Sequence, residues 1–204
     1  MATVSARADY DRIADEWDRA RHTLPPLDAG LFDRFSALLP QRPDLLDLGC
    51  GSGRPIAERF AARGANITGI DRSRRLLALA RERVPDGRFL HGELEQFRAT
   101  ATYDGIVCWD CLFHLPRAAH AGILREARRA LRPGGVLIAT SGGSAQPAFS
   151  DHMFGVEFFY DAHAPDELLA LCAEIGFETV EFLVLNAPDC GRDKGRIGVI
   201  LRTN

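Results

Sequence analysis

The feature that most constrains the fold of this chain is a short apolar run that ends in closely spaced glycines. Residues 44–55 read DLLDLGCGSGRP, and the apolar residues 45–48 predict a buried strand. From Ile56, apolar residues recur with helical spacing until Gly64. A strand, a glycine turn and a helix start together predict a nucleotide-binding corner. Glycine lets the backbone approach a ligand closely, and the free N–H groups of the helix start favour polar or anionic groups.

The spacing of these glycines disfavours a dinucleotide-binding turn. The pattern G-x-G-x-x-G needs its third glycine for close packing of helix against strand. Counting from Gly49 places Arg54 at that position, and counting from Gly51 places Ile56 there. An oxidoreductase of the NAD type is therefore the less favoured alternative.

The pattern D-x-G-x-G-x-G, formed by Asp47, Gly49, Gly51 and Gly53, resembles the first motif of class I S-adenosylmethionine (SAM)-dependent methyltransferases. The resemblance implies that the turn runs along the methionine part and the ribose of SAM. Asp47, Gly49, Cys50 and Gly51 are accordingly predicted to bind the cofactor. A turn that binds nothing is the alternative.

Acidic residues follow the next two predicted strands. Residues 65–70 predict the second strand, and Asp71 stands about 20 residues beyond the turn, where an acid in the Rossmann geometry meets ribose hydroxyls. Ser73 is available to cap the following helix. After a third strand at residues 88–91, the resemblance implies that Glu93 and the backbone N–H of Leu94 bind the adenine ring. Arg72 is a further predicted cofactor contact.

The N-terminal segment has one apolar helical face. Tyr10, Ile13, Ala14 and Trp17 lie at i, i+3, i+4 and i+7, which by itself favours a helix packed on the core. Residues 10–18 also resemble the N-terminal lid of small-molecule methyltransferases. The resemblance implies that Tyr10 and Trp17 contact SAM and that Arg21 can reach its carboxylate.

A second helix follows the lid segment. Its pattern carries Leu31, Phe35, Leu38 and Leu39, and Asp28 is available to cap its start.

Further candidate contacts lie at the carboxyl end of the strand predicted at residues 106–109. The carboxyl end of such a strand faces the ligand crevice of an open α/β sheet, so Trp109 and Asp110 are predicted to contact the cofactor. His114 lies one turn further, and the aspartate-then-histidine spacing resembles the fourth motif of the family. An imidazole with a pKa near about 6.5 suits proton transfer at neutral pH, so His114 is the candidate base and a candidate substrate contact. A histidine that only shapes the pocket is the alternative.

Cys108 and Cys111 have the spacing of a redox or metal pair. Cys108 belongs to the predicted strand, and the chain offers no second pair to complete a zinc site. Both are expected to be packing residues, and no metal is expected.

The stretch 142–163 loses periodicity and is rich in aromatic residues, which predicts an irregular loop over the crevice. In this interpretation Phe158 and Tyr160 contact the substrate. A satellite hydrophobic cluster is the alternative.

The C-terminal part predicts a helix and then strands at residues 180–185 and 197–201. The loop between these strands is too short for a crossover helix, so they are expected to pair antiparallel. The expected fold is α/β: a Rossmann-like, seven-stranded, mostly parallel sheet with an antiparallel terminal strand and helices on both faces. One domain is expected over residues 1–204: a helical lid (1–43), a SAM-binding core (44–141), a substrate loop (142–165) and a C-terminal helix with the strand pair (166–204).

Composition limits the partners. A net charge of -3 over 204 residues argues against a protein held on nucleic acid by phosphate contacts. Five scattered cysteines favour a reducing compartment over a disulfide framework. Residues 1–18 do not resemble a signal peptide, and no apolar run approaches the roughly 20 residues of a membrane span. A cytoplasmic location without membrane partners is expected, and the oligomeric state stays open.

The predicted reaction moves a methyl group from SAM to an O or N atom of a small-molecule acceptor and releases S-adenosylhomocysteine. The Pro-Pro-Tyr/Phe signature of nucleic-acid amine methylases is replaced by Trp109-Asp110-Cys111-Leu112. The alternative is a SAM-binding protein of the same fold that does not methylate.

Overall fold

The computed structural model describes residues 9–188 and 195–203. Its strands are β1 (Asp44–Leu48), β2 (Asn66–Asp71), β3 (Arg88–His91), β4 (Tyr103–Cys108), β5 (Leu131–Gly142), β6 (Phe149–Met153), β7 (Val156–Tyr160), β8 (Phe177–Asn186) and β9 (Arg196–Thr203). The α-helices are α1 (Ala14–Ala20), α2 (Pro26–Ala37), α3 (Ile56–Ala61), α4 (Arg74–Arg83), α5 (Arg117–Ala130) and α6 (Pro165–Ile175). Short 3-10 helices cover Tyr10–Ile13, Leu94–Gln96 and Leu112–His114.

Seven strands form one sheet in the order β3-β2-β1-β4-β5-β9-β8. The pairs among β1 to β5 are parallel, and β9 runs antiparallel to both β5 and β8. The predicted fold class and the antiparallel pairing at the end of the chain are confirmed. The antiparallel strand is the last in sequence, but it lies between β5 and β8 rather than at the sheet edge.

Helices cover both faces because successive strand residues point to opposite sides of the sheet. Leu46, Leu48, Ile106 and Cys108 pack in the same cluster as residues of α5 and α6. Leu45, Val107 and Trp109 face the other way and pack in a cluster with residues of α2, α3 and α4. Burial on both faces explains why these strands read as nearly continuous apolar runs.

The strand order places a crevice beside the glycine turn. From β1 the chain proceeds to β2 and β3 on one side, and β4 then pairs with the other side of β1. In open α/β sheets a ligand crevice forms at such a switch point, outside the carboxyl ends of the strands. The glycine turn, the end of β2 and the end of β4 therefore meet at one edge.

The turn after β1 requires glycine. Gly49 has a φ of 76°, and a Cβ added there would lie 2.6 Å from the Cβ of Cys111. Both the backbone conformation and the approach of the neighbouring loop exclude a larger residue.

Residues 149–160 form a β-hairpin instead of the predicted irregular loop. β6 and β7 pair antiparallel, with Met153 opposite Val156. The two-residue turn holds Phe154 and Gly155 at φ values of 50° and 76°, the positive values of a type I′ turn. Asparagine or aspartate usually occupies the first of these positions, so phenylalanine hid the turn in the sequence.

The hairpin packs against the N-terminal segment. Val156 and Phe158 form a separate buried cluster with Ile13, and Tyr10 and Trp17 pack against it. This satellite cluster was the alternative interpretation of the aromatic stretch.

Some expectations lie outside the described residues. These are the part of the loop between β8 and β9 at residues 189–194 and the first eight residues of the segment predicted as a lid. Within the described ranges, no helix is both long and apolar enough to cross a membrane.

Candidate active site

A cleft of about 650 Å³, open to solvent at its mouth, lies at the carboxyl ends of β1, β2 and β4. Most residues predicted to bind cofactor or substrate line it: Tyr10, Trp17, Gly49, Gly51, Asp71, Arg72, Glu93, Leu94, Trp109, Asp110 and His114. Asp47 and Cys50 line an adjoining cavity of about 540 Å³ that shares Gly49, Gly51 and Trp109 with the cleft. The structure thus brings together residues that are up to 104 positions apart in the sequence.

Asp71 is held in place by the backbone. The N–H of Gly51 donates to its Oδ2 and the N–H of Ser73 donates to its Oδ1, each at 2.8 Å. Burial raises the pKa of this carboxyl, and the two backbone donors oppose the rise. Each oxygen keeps a second lone pair, so the fixed carboxylate can still accept two ligand hydroxyls.

Ser73 caps α4, as predicted. Its Oγ accepts the N–H of Leu76 at 3.0 Å. Its own hydroxyl donates to Asp11 of the N-terminal segment. The cap therefore also ties that segment to the edge of the cleft.

Arg72 and Glu93 face each other across one end of the cleft. The Nε of Arg72 lies 3.7 Å from Oε2 of Glu93. Leu94 follows as the first residue of a 3-10 helix, where backbone N–H groups have no partner within the helix. This end of the cleft therefore combines a carboxylate with backbone donors.

Asp110 occupies an unusual conformation at the end of β4. Its φ is 52°, in the left-handed region that favours glycine. Its N–H donates to Oγ1 of Thr140 at 2.6 Å. Its carboxylate lies 3.0 Å from Nε of Arg196 and 3.3 Å from a guanidinium nitrogen of Arg21. These partners on three other segments hold Asp110 at the junction of the two cavities.

Arg196 joins Asp110 to Asp28, and no sequence pattern predicts either contact. A guanidinium nitrogen of Arg196 donates to Oδ2 of Asp28 at 2.7 Å. Asp28 was expected to cap α2, and this was wrong. α2 begins at Pro26, its N-cap Pro25 has no side-chain cap, and Asp28 is only 2% exposed. The carboxylate turns inward because a guanidinium 168 residues away compensates its charge.

His114 is a buried neutral imidazole at the lid side of the cleft. Its Nδ1 lies 3.1 Å from the carbonyl oxygen of Phe159. A carbonyl only accepts, so Nδ1 carries the hydrogen and Nε2 carries the lone pair. Burial lowers the pKa of His114 to about 4, although the bond to Phe159 opposes this. The side chain therefore presents a proton-accepting nitrogen at neutral pH.

Phe158 and Tyr160 surround His114 and are not among the residues lining the cleft. The ring of Phe158 is fully buried, with its centroid 5.7 Å from that of His114. The Tyr160 centroid lies 4.8 Å from the same imidazole. Their predicted contact with substrate stays a prediction.

Several lining residues were not predicted. They are Leu76, Gly92, Glu95, Cys111 and Leu115. Cys111 is not only a packing residue, since its Sγ lies 3.2 Å from the carbonyl of Leu48 and 3.1 Å from Sγ of Cys108. Only their positions in the sequence could have identified Gly92, Glu95, Cys111 and Leu115. Each of the four is adjacent to a residue predicted to contact cofactor or substrate.

Comparisons with known proteins agree on one family. A family model described as a methyltransferase domain matches residues 45–135. A ubiquinone biosynthesis O-methyltransferase of Aromatoleum aromaticum is 29% identical over 179 residues, which cover 79% of this chain and 74% of that protein. A 27-O-demethylrifamycin SV methyltransferase of Amycolatopsis mediterranei is 33% identical over 130 residues, 59% of this chain and 47% of that protein.

A solved structure agrees on the fold. A SAM-dependent methyltransferase of Methanosarcina mazei superimposes with a TM-score of 0.73 at 20% identity, covering 88% of this chain and 98% of that chain. Together these findings support a class I SAM-dependent methyltransferase. The predicted family, enzyme class and cofactor are thereby confirmed.

The residues of this methyltransferase fit SAM chemically. The glycine turn leaves no side chain between the backbone and the cleft at Gly49 and Gly51. The carboxylate of Asp71 has lone pairs for two hydroxyls, as a ribose needs. The apolar side chains of Leu76, Leu94 and Leu115 offer walls for a ring system.

Proposed function

We propose that this methyltransferase moves the methyl group of SAM to a hydroxyl oxygen of a small, largely apolar acceptor. The observation that carries the proposal is the neutral imidazole of His114 on the wall of the cleft, with its lone pair on Nε2. Two of the relatives are named as enzymes that methylate oxygen or restore an O-methyl group, which supports oxygen over nitrogen. The net charge of -3 supports a small molecule rather than a nucleic acid as acceptor.

We assign the cofactor contacts by the chemistry of each end of the cleft. Asp71 binds the ribose hydroxyls, while Glu93 and the N–H of Leu94 bind adenine. Asp110 binds the ammonium group of the methionine part and Arg21 binds its carboxylate, since each pair carries opposite charges. Tyr10 and Trp17 cover this end as part of the lid. The remaining members of the proposed set are Asp47, Gly49, Cys50, Gly51, Arg72 and Trp109.

The proposed reaction requires the protein to align the acceptor and to accept its hydroxyl proton. When bound, SAM supplies a methyl group already activated by its sulfonium. The protein must align the acceptor, and positioning of this kind can lower a barrier by roughly 7–11 kcal/mol. It must also take the hydroxyl proton, and His114 is the residue proposed to hold it. The scattered cysteines support the further proposal that the enzyme works in the cytoplasm.

Product analysis with a small acceptor panel tests the function. The purified protein is incubated with SAM and, separately, phenol, catechol, benzyl alcohol, aniline or benzylamine. Mass spectrometry then detects S-adenosylhomocysteine and the methylated product. We expect a methyl ether from at least one hydroxyl compound. Methylation of amines alone would contradict the choice of oxygen, and binding of SAM with no turnover across the panel would favour a SAM-binding protein that does not methylate.

Calorimetric titration tests the assigned roles. Asp71→Ala is expected to weaken SAM binding far more than His114→Ala. Of these two residues, Asp71 alone is proposed to contact the cofactor directly. Equal losses in the two variants would contradict the assignment.

A further inference from the structure

The hydroxyl of Tyr10 lies 2.8 Å from Nε2 of His114, although the two residues are 104 positions apart. The Phe159 carbonyl fixes the hydrogen of the imidazole on Nδ1, so Nε2 can only accept. Tyr10 therefore donates its hydroxyl hydrogen to His114. This hydrogen bond occupies the Nε2 lone pair with which His114 is proposed to accept a proton.

Tyr10 is held in this position by its neighbours. Its ring makes edge-to-face contacts with Trp17 and Phe158, each with centroids 5.0 Å apart, and with His114 at 5.5 Å. Edge-to-face geometry is a favoured arrangement of aromatic rings and adds to the stabilisation from burial. The hydroxyl is thus placed by packing as well as by its hydrogen bond.

Tyr10 also lines the cleft, beside His114. A tyrosine hydroxyl that donates one hydrogen keeps lone pairs that can accept another. A hydroxyl compound in the cleft can therefore donate to the oxygen of Tyr10. In this arrangement it reaches His114 only through Tyr10.

We propose that Tyr10 is a catalytic residue that receives the proton of the acceptor hydroxyl while passing its own proton to Nε2 of His114. The inference rests on the proposed transfer to oxygen and deepens it. It changes the predicted role of Tyr10, which the family resemblance makes only a cover over the cofactor.

The step balances. The acceptor oxygen forms a bond to the methyl carbon, and the methyl–sulfur bond breaks with its electron pair left on sulfur. The acceptor proton moves to the oxygen of Tyr10, and the hydrogen of Tyr10 moves to Nε2 of His114. The products are a methyl ether, a neutral thioether and an imidazolium, with Tyr10 regenerated.

The net charge of the cleft stays constant during the step, which explains how an imidazole as weakly basic as His114 can accept the proton. Burial lowers the pKa of His114 to about 4, so an isolated protonation of this imidazole would be unfavourable at neutral pH. In the proposed step the positive charge leaves the sulfonium as it appears on the imidazolium. The cleft therefore gains no net charge, and Asp110 favours the cationic form of His114.

The first test compares Tyr10→Phe with Tyr103→Phe. Both variants lose one hydroxyl, but Tyr103 begins β4 and lies at the other end of that strand from Trp109. With phenol, catechol or benzyl alcohol, whichever the wild type methylates, Tyr10→Phe should lower kcat by about 100-fold or more, as expected for loss of acid–base catalysis. SAM affinity measured by calorimetry should stay nearly unchanged. Tyr103→Phe should keep both values.

Two further readouts separate a relay from a structural role. Rates in mixtures of light and heavy water should depend non-linearly on deuterium content for the wild type, because two protons move, and linearly for Tyr10→Phe. Nitrogen NMR of labelled histidine should show a higher pKa of His114 in Tyr10→Phe, because a donor to the neutral imidazole is lost. The Tyr103→Phe variant should match the wild type in both.

The outcomes are distinct. Undiminished kcat in Tyr10→Phe, or an unchanged pKa of His114, would overturn the relay while leaving transfer to oxygen intact. A loss of SAM affinity with unchanged kcat would also overturn it and return Tyr10 to a cofactor cover. A wild type that methylates no hydroxyl compound would overturn the proposed function itself.

Discussion

Arg83 of α4 binds Asp18 of α1 through two parallel hydrogen bonds of 2.6 Å each. The same guanidinium donates to the carbonyl of Ser52 in the glycine turn at 3.0 Å. The hydrogen bonds from Arg83 lower the pKa of Asp18. One side chain thus connects the N-terminal segment, α4 and the turn after β1.

Arg83→Met is expected to destabilise the protein by about 1–2 kcal/mol, because charge-assisted bonds to a half-buried carboxylate exceed an ordinary surface ion pair. SAM affinity should also fall, since the segment carrying Tyr10 and Trp17 loses its anchor. Urea denaturation and calorimetry measure the two effects. Arg75→Met is the matched control: Arg75 joins α4 to Asp15 at 2.8 Å, but both side chains are more than half exposed. A loss as large in Arg75→Met would contradict the anchoring role of Arg83.

Gly49→Ala should disrupt the turn. Alanine at a φ of 76° is strained, and its Cβ would meet that of Cys111 at 2.6 Å. Together these effects should cost about 2–4 kcal/mol of stability and abolish the thermal shift that SAM produces. Differential scanning fluorimetry with and without SAM measures both. Gly122→Ala, in the exposed face of α5 with no atom near the added Cβ, should instead be neutral or stabilising by up to about 1 kcal/mol. A Gly49→Ala protein that still responds to SAM would contradict this account.

Arg196→Met should lower the stability of the protein more than loss of a surface arginine does. It leaves the buried carboxylate of Asp28 without its guanidinium partner, which should cost about 3 kcal/mol. The double variant Asp28→Asn with Arg196→Met should recover part of this loss, because the uncompensated charge is removed. Arg34→Met breaks the exposed ion pair between α2 and Glu181 of β8 and should cost less than about 1 kcal/mol. Chemical denaturation of the wild type and these three variants measures the losses. A double variant no more stable than Arg196→Met would contradict the interpretation.

The low pKa of His114 predicts a pH-dependent stability. In the folded protein this pKa is about 4, against about 6.5 in an unfolded chain. Between these values the unfolded chain binds a proton that the folded protein does not, so the free energy of unfolding falls as the pH falls. The wild type should lose about 2 kcal/mol relative to His114→Gln between pH 7.5 and pH 4.5. Urea denaturation at both pH values tests this. Curves that shift equally in the two proteins would place the pKa of His114 near its ordinary value.

The cofactor side of the cleft was largely predictable. The glycine turn, Asp71 and Glu93 each follow a predicted strand directly, and parallel strands bring their carboxyl ends to one edge. Knowing the strands was therefore enough to place these residues together. The same logic placed Trp109, Asp110 and His114.

The parts that failed depend on unusual local chemistry. Phenylalanine in the turn of the β6–β7 hairpin hid an antiparallel pair, and so the stretch looked irregular. Aspartate is a residue type that often caps helices, but the carboxylate of Asp28 points inward and pairs with Arg196. For Asp28 a tertiary ion pair outweighs the local preference of the residue, and for Phe154 the pairing of β6 with β7 does.

The sequence by itself determined the family, the sheet and the edge where the cofactor-facing residues meet, because those signals lie within a few residues of each strand end. Only the tertiary structure decided that Tyr10 donates to His114, that Arg83 binds Asp18 and that Arg196 joins Asp28 to Asp110. Each of these pairs joins side chains that are 65 to 168 residues apart. Such partners are selected by how the helices and the hairpin pack on the sheet, and no local pattern encodes that packing.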